Sequence, residues 1–119
     1  MKLSEAEWAV MESLWRDTRR SLAAVSAELK TVKGWSKNTV HTYLTRMEKK
    51  GLVSIDHSLP EPYAAAVSRS DCAREERSEL LDKVYGGAAG EMIAAFLKES
   101  AISREEIDRL RKLLDEMEV

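Results

Sequence analysis

The chain is poor in the residues that build covalent or metal-based cross-links. It contains one cysteine and two histidines among 119 residues. A single cysteine forms no disulfide within the chain, and His41, His57 and Cys72 lack the spacing of zinc ligands. We therefore expect no metal site and no cofactor, and this cysteine usage suits a reducing compartment.

Long apolar runs and catalytic motifs are also missing. No stretch approaches the roughly 20 apolar residues that a transmembrane helix needs, and residues 1–15 are acidic and amphipathic, unlike a signal peptide. The sequence has no nucleophile elbow, no glycine-rich phosphate loop and no paired histidine motif. It therefore predicts a cytoplasmic protein that is not an enzyme and does not insert into a membrane.

Neither charge is in large excess, since the formal net charge is −2. The charges are nevertheless distributed unevenly. Residues 1–57 carry ten Lys or Arg and seven Asp or Glu, whereas residues 58–119 carry nine and fourteen. A basic N-terminal half suits contact with nucleic acid, and an acidic C-terminal half indicates a separate task.

Residues 35–51 (WSKNTVHTYLTRMEKKG) are the most informative stretch. Val40, Tyr43, Leu44 and Met47 recur at helical spacing, which predicts an amphipathic helix with these side chains on its buried face. At 3.6 residues per turn, the opposite face is polar and basic. Side chains of this kind read base edges and hold phosphates in a DNA major groove. They are Asn38, His41, Thr42, Thr45, Arg46 and Lys49.

Three helices are predicted in residues 4–51, each opened by a serine that can accept a hydrogen bond from the first turn. These N-caps are Ser4, Ser21 and Ser36. The first helix should end near residues 16–20, the second before Gly34 and the third at Gly51. Ser4 is followed at the right distance by Glu7, which is the spacing of a capping box.

A hairpin and further helices follow. Residues 52–55 and 63–67 are predicted strands, joined by a loop with two prolines. Helices are then predicted over residues 70–85, over 88–98 and from 103 onward. The fold is therefore mostly α with a small β-hairpin wing: a winged helix-turn-helix DNA-binding domain over residues 1–69, then a helical dimerisation domain over residues 70–119.

The last helix carries an apolar stripe at intervals of three and four residues. Its members are Ile107, Leu110, Leu114 and Met117, and Leu113 widens it. The stripe either folds back on the N-terminal domain or joins a second copy of the chain. A lone three-helix arm has too little interior to hide such a face, and the domain is small, which favours a homodimer.

Four segments together resemble one family of regulators. They are SEAEWAVMESLW from Ser4, WSKNTVHTYLTRMEKKG from Trp35, KVYGG from Lys83 and SREEIDRLRKLL from Ser103. In this order they resemble the BlaI/MecI/CopY family, the penicillinase and methicillin-resistance repressors of bacteria. The resemblance covers nearly the whole chain. It implies a homodimeric winged-helix repressor that binds a palindromic operator in double-stranded DNA and blocks transcription.

The resemblance also implies roles for single residues of the recognition helix. Residues facing bases or nearby phosphates are Lys37, Asn38, His41, Thr42 and Thr45. Residues holding the DNA backbone are Arg46, Lys49 and Lys50. Thr39 matches a family threonine and is interpreted as a cap or phosphate contact. Family wings usually offer basic or amide side chains, whereas this loop has Glu61 between two prolines, so the wing is not assigned to DNA.

A release mechanism is implied as well. Relatives paired with a membrane-bound sensor peptidase are cut at an Asn-Phe bond in the arm, and the matching position here is Ala95–Phe96. Because Ala replaces Asn, cleavage by a protease of different preference and the absence of a proteolytic switch both stay open. The copper-responsive branch carries C-terminal cysteines that this chain lacks, which argues against copper sensing by that route.

Two other functions remain open at this point. A winged helix can serve as a protein-interaction module, but such a scaffold has no need of a basic third helix. A repressor can also be released by a small ligand bound between wing and arm, and the sequence shows no polar cluster that marks such a pocket.

Overall fold

The computed structural model describes residues 2–117 and confirms the predicted fold class. Its elements are α1 (Glu5–Leu14), α2 (Leu22–Lys33), α3 (Lys37–Lys49), β1 (Val53–Ile55), β2 (Tyr63–Ala65), α4 (Arg69–Tyr85), α5 (Ala89–Glu99) and α6 (Arg104–Glu116). Three helices followed by an antiparallel hairpin form a winged helix-turn-helix.

The predicted serine caps are present. Ser4, Ser21 and Ser36 each accept a hydrogen bond from the backbone N–H three residues later, at 3.1, 3.1 and 3.2 Å. At the first cap, Glu7 Oε1 also accepts a hydrogen bond from the Ser4 backbone N–H at 3.0 Å, which completes the capping box. These bonds satisfy backbone donors that have no partner inside the helix. Each helix therefore begins where its serine stands.

The first helix ends earlier than the sequence suggested, at Leu14 rather than within residues 16–20. Tertiary contacts explain the difference. The Trp15 indole N–H donates to the Val67 carbonyl at 2.9 Å. Arg20 and Tyr63 exchange two backbone hydrogen bonds, at 2.7 and 3.0 Å. Since Arg20 has to reach the hairpin, the chain leaves the helix before residue 16.

The hairpin is shorter than predicted. Val53 pairs with Ala65, Ser54 with Ala64 and Ile55 with Tyr63. Leu52 precedes the first strand but still accepts a hydrogen bond from Ala66 at 2.9 Å. We call residues 53–65 the wing.

A single apolar core joins the first three helices to the wing. Its side chains come from α1, α2, α3, the hairpin and the start of α4. The largest fully buried ones are Met11, Leu14, Leu29, Leu44, Met47 and Leu52. Because α3 contributes its apolar seam to this core, its opposite face is left for another task.

The chain divides into two compact units, Met1–Arg77 and Ser78–Val119. The division lies inside α4, after the boundary at residue 69 expected from the sequence. The start of α4 belongs to the first unit because Cys72 is buried in its core and Arg69 Nε lies 2.8 Å from Glu12 Oε1.

The second unit comprises the end of α4 together with α5 and α6. Ser103 opens α6 by accepting a hydrogen bond from the Glu106 backbone N–H at 3.2 Å. No side chain of α5 or α6 is buried. Across residues 2–117, no helix is both long enough and apolar enough to cross a membrane.

Candidate nucleic-acid interface

Helix α3 has one buried face and one exposed face. Val40 and Leu44 are fully buried and Met47 is 1% exposed, as the seam predicted. Tyr43 is half-buried and stacks on Trp35, with ring centroids 4.7 Å apart and planes 14° from parallel. This stack fixes the turn that enters α3, and the buried seam fixes the rotation of the helix about its own axis.

The nine residues predicted to contact DNA all lie on α3 or at its C-cap. The exposed ones are Lys37, Asn38, His41, Thr42, Arg46, Lys49 and Lys50. Thr39 and Thr45 are half-buried. The fold thus brings the predicted residues together on one helix, and seven of them meet solvent.

Three of the nine side chains have partners within the protein. Thr39 Oγ1 lies 3.1 Å from Ser36 Oγ, and Thr42 Oγ1 donates to the Asn38 carbonyl at 2.9 Å. Lys50 Nζ donates to Glu7 Oε2 at 2.8 Å. The interpretation of Thr39 as part of the cap has a geometric basis in the first of these contacts.

The other side chains of the set are free to meet a ligand. Among residues 2–117, they form no side-chain hydrogen bond or ion pair with the protein. They are Lys37, Asn38, His41, Thr45, Arg46 and Lys49. An amide, an imidazole and three basic groups on one exposed helix face can bind base edges and phosphate oxygens without breaking an internal contact.

Lys50 has a different environment from Lys49. Burial raises the pKa of the Glu7 carboxyl, but hydrogen bonds from Lys50 and from the Ser4 backbone outweigh it, and the pKa lies below its usual value of 4.5. Glu7 is therefore ionised at neutral pH and holds the ammonium group of Lys50. The structure gives Lys50 an internal partner that the sequence did not indicate.

The loop of the wing, residues 56–62, contains no lysine or arginine of its own. Arg19 Nε donates to the Glu61 carbonyl at 2.9 Å, and its Nη2 donates to the Pro62 carbonyl. Ser58 donates two hydrogen bonds to Asp56 Oδ1, at 3.0 and 2.6 Å, which lower the pKa of the Asp56 carboxyl. The loop is thus braced by its own carboxylate and by an arginine of the α1–α2 connection.

Two basic residues near α3 escaped the sequence reasoning. Lys30 and Lys33 lie in the last turn of α2, and both are exposed. They precede Gly34, which has φ of 71° and ends α2. The signal was present in the sequence as two lysines three residues apart before a C-capping glycine.

The structure also places the residues considered for metal binding, cleavage and dimerisation. His41, His57 and Cys72 form no cluster, since residues 2–117 contain no group of three or more potential metal-binding side chains. Ala95 and Phe96 lie within α5, where Ala95 is half-buried and Phe96 is exposed. On α6, Ile107 is half-buried, and the other apolar side chains are exposed: Leu110, Leu113, Leu114 and Met117.

Sequence comparisons with known proteins identify a family. The sequence model of the penicillinase repressor family matches residues 3–116. The methicillin resistance regulatory protein MecI of Staphylococcus aureus (strain N315) is 30% identical over 96% of this chain and 94% of its own length. The penicillinase repressor of Bacillus licheniformis is 30% identical over 97% of this chain and 91% of its own length.

A solved structure also aligns with the chain. It is that of a MarR/EmrR family transcriptional regulator from Acinetobacter sp. ADP1, with a TM-score of 0.42, 21% identity, and coverage of 97% of this chain and 78% of that chain. The family assignment depends on the sequence matches, which span almost the whole chain and confirm the resemblance seen in its motifs. The chain belongs to the penicillinase repressor family and is a DNA-binding transcriptional repressor rather than an enzyme.

Proposed function

We propose that the chain represses transcription as a homodimer that inserts one α3 helix into each half of a palindromic operator. The observation that carries this proposal is the exposed polar face of α3, where the side chains of Arg46 and Lys49 have no partner among residues 2–117. In this assignment, Asn38, His41 and Thr42 face base edges. Lys37, Arg46 and Lys49 hold phosphates, and Thr39 and Thr45 flank the contact.

Lys50 takes a different role in the proposal. Its ammonium group is held by Glu7 at 2.8 Å, and its side chain is 54% exposed. We assign it to positioning the C-terminal end of α3, with any phosphate contact secondary. Ionic contacts with the DNA backbone at this end of α3 then come chiefly from Arg46 and Lys49, which precede Lys50 on the exposed face.

The homodimer is supported by the apolar surface of the second unit. Each of its three helices exposes large apolar side chains, namely Leu80 and Val84 on α4, Ile93, Phe96 and Leu97 on α5, and Leu110, Leu113 and Leu114 on α6, with Met117 just beyond it. Apolar surface of this extent marks a site of association. A second copy is the partner we propose, because the same helices then cover one another across a two-fold axis.

Dimerisation explains how a short helix binds tightly enough. Once one α3 is bound, the second engagement is intramolecular, and tethering of this kind raises avidity by roughly 10²–10⁴. A two-fold dimer calls for half-sites about one helical turn of DNA apart, or a multiple of it. Any signal that separates the two arms therefore lowers operator affinity while α3 itself is untouched.

Cleavage of the arm at Ala95–Phe96 is one such signal. A cut there detaches α6 with its apolar stripe, and Phe96 is 53% exposed. The bond lies inside α5, so the last turns of that helix have to unfold before a protease binds them in extended form. A membrane-bound sensor peptidase is the candidate protease.

The test is a fluorescence anisotropy titration with duplex DNA from immediately upstream of the gene for this chain. It is performed at two salt concentrations with scrambled duplex as competitor, and stoichiometry is measured in parallel. We expect binding that resists the competitor, with two monomers per site. Binding that disappears under competitor contradicts operator recognition, and one monomer per site contradicts the dimer.

A further inference from the structure

A groove on the first unit runs along α2 and the turn that leads into α3. Ala23, Ser26 and Ala27 of α2 line one side of it. Lys30 and Lys37 also line it, one from the end of α2 and one from the start of α3. The tertiary structure thus places Lys30 of α2 and Lys37 of the recognition helix on the same groove.

The lysines around this groove differ from most basic side chains of the same unit. Lys30, Lys33 and Lys37 are exposed, and within residues 2–117 none of their side chains forms a hydrogen bond or an ion pair. Carboxylates pair with several other basic side chains of this unit: Arg16 and Arg20 bind Glu28, Lys50 binds Glu7, Arg69 binds Glu12 and Arg74 binds Asp71. The uncompensated positive charge is therefore concentrated at the end of α2 and along α3.

The wall of the groove permits close approach by a chain-like ligand. The side chains of Ala23 and Ala27 on this wall are single methyl groups, so no bulky side chain at these positions shields the α2 backbone.

We propose that this groove binds the sugar-phosphate backbone of one DNA strand, with Lys30 and Lys37 on phosphate oxygens and Lys33 beside them. This inference rests on the proposed function. Lys37 belongs both to the groove and to the exposed face of α3, so the two surfaces are continuous and one duplex can cover both. Continuity favours DNA over an acidic peptide, since a peptide in the groove would compete with the operator.

The test replaces both lysines that lie outside α3. The variant Lys30→Gln/Lys33→Gln keeps the size and polarity of the side chains and removes their charge, and Lys37 is left intact. We expect weaker binding to operator and to scrambled duplex by similar factors, because backbone contacts carry no sequence information. The slope of log K against log salt should decrease by about one unit per lost phosphate contact.

Two controls isolate the groove. Lys83→Gln removes one exposed charge from the second unit and should leave the salt slope within error of the wild type. Lys30→Arg/Lys33→Arg keeps both charges and should retain the wild-type slope. Thermal unfolding of each variant shows whether its fold is intact. If the glutamine variant is destabilised, the arginine variant shows whether replacing the two lysines without removing their charge changes the salt slope.

The results separate this inference from the function on which it rests. Specific operator binding by the wild type with an unchanged slope for Lys30→Gln/Lys33→Gln overturns the groove and leaves the repressor in place. An equal loss of slope for Lys83→Gln also overturns it, because the effect is then one of overall charge. A reduced slope on scrambled duplex supports the groove even where no operator preference is found.

Discussion

Lys50 Nζ lies 2.8 Å from Glu7 Oε2, so the residue that follows the recognition helix is bound to the first turn of α1. The other oxygen of the same carboxylate accepts the Ser4 backbone N–H at 3.0 Å. One buried carboxylate therefore caps α1 and holds the C-terminal end of α3. This contact links the geometry of DNA reading to the stability of the first unit.

Adjacent lysines should consequently behave in opposite ways. Lys50→Met leaves a buried carboxylate without its ammonium partner and should lower the free energy of unfolding by about 1–3 kcal/mol. Lys49→Met alters an exposed, unpaired side chain and should change stability by less than about 0.5 kcal/mol, while reducing the salt slope of DNA binding by about one unit per lost phosphate contact. Urea unfolding and anisotropy titrations on both variants measure the contrast. Equal stabilities for the two variants would show that the Glu7–Lys50 contact contributes nothing.

The pH dependence of stability should carry the signature of Glu7. Its pKa is lowered in the folded state relative to 4.5, so the unfolded chain binds the proton more readily. The stabilisation is complete above the unfolded pKa and is lost as pH falls through the folded pKa. Glu7→Gln keeps a capping side chain but removes the titration. The wild type should therefore lose its advantage over Glu7→Gln as pH falls below 4.5 and through the lowered pKa of Glu7, and a gap that does not change on acidification contradicts the assignment.

Asn38 should govern sequence preference rather than overall grip. Its side-chain amide is exposed on α3 and unpaired within residues 2–117. Asn38→Ala should cost about 1–3 kcal/mol on the preferred base pair and much less on others. A panel of operators with single base changes, titrated at one salt concentration, measures this. Thr31→Ala on α2 is the control and should leave the preference intact; a uniform loss across the panel for Asn38→Ala would instead indicate a phosphate contact.

The apolar stripe of α6 should determine the oligomeric state. Leu110→Asp/Leu114→Asp places charge on exposed apolar positions, and sedimentation should then show monomers whose operator affinity is lower by a factor of roughly 10²–10⁴. Lys112→Asp introduces the same side chain on the opposite face of α6 and should leave the assembly unchanged. A dimer that persists in the double variant would require another interface, and a monomeric wild type would remove the dimer from the proposal.

Cys72 should be chemically quiet in the folded protein. It is 7% exposed, and burial raises the pKa of its thiol, with the charges of Glu75 and Asp71 raising it further. Because the thiolate is the reactive form, alkylation by iodoacetamide at pH 7 should be slow when folded and fast in urea, as followed by mass spectrometry. Rapid alkylation of the native protein would contradict the burial of Cys72.

Much of the fold could be predicted from local patterns because its determinants are local. A serine at the N-cap acts through a hydrogen bond three residues away, and a buried seam on α3 follows from the period of the helix. The chain positions of Ser4, Ser21, Ser36 and Ser103 therefore located four helix starts correctly. The end of α1 was predicted wrongly because it depends on Trp15 and Arg20 meeting the wing, which is a contact between residues distant in sequence.

The candidate DNA-binding site also has features that depend on local sequence and features that depend on tertiary contacts. Taken alone, the sequence determined which side of α3 is polar and which residue types stand on it, since that follows from helical geometry. The pairing of Lys50 with Glu7 and the placement of Lys30 and Lys37 on one groove were decided by tertiary structure. Each case involves side chains from two different helices, and the residue spacing within one helix gives no information on how far that helix lies from another. Lysines that look equivalent in the sequence therefore differ in the folded protein. Lys50 forms an ion pair with Glu7, whereas the side chains of Lys30 and Lys37 have no such partner among residues 2–117.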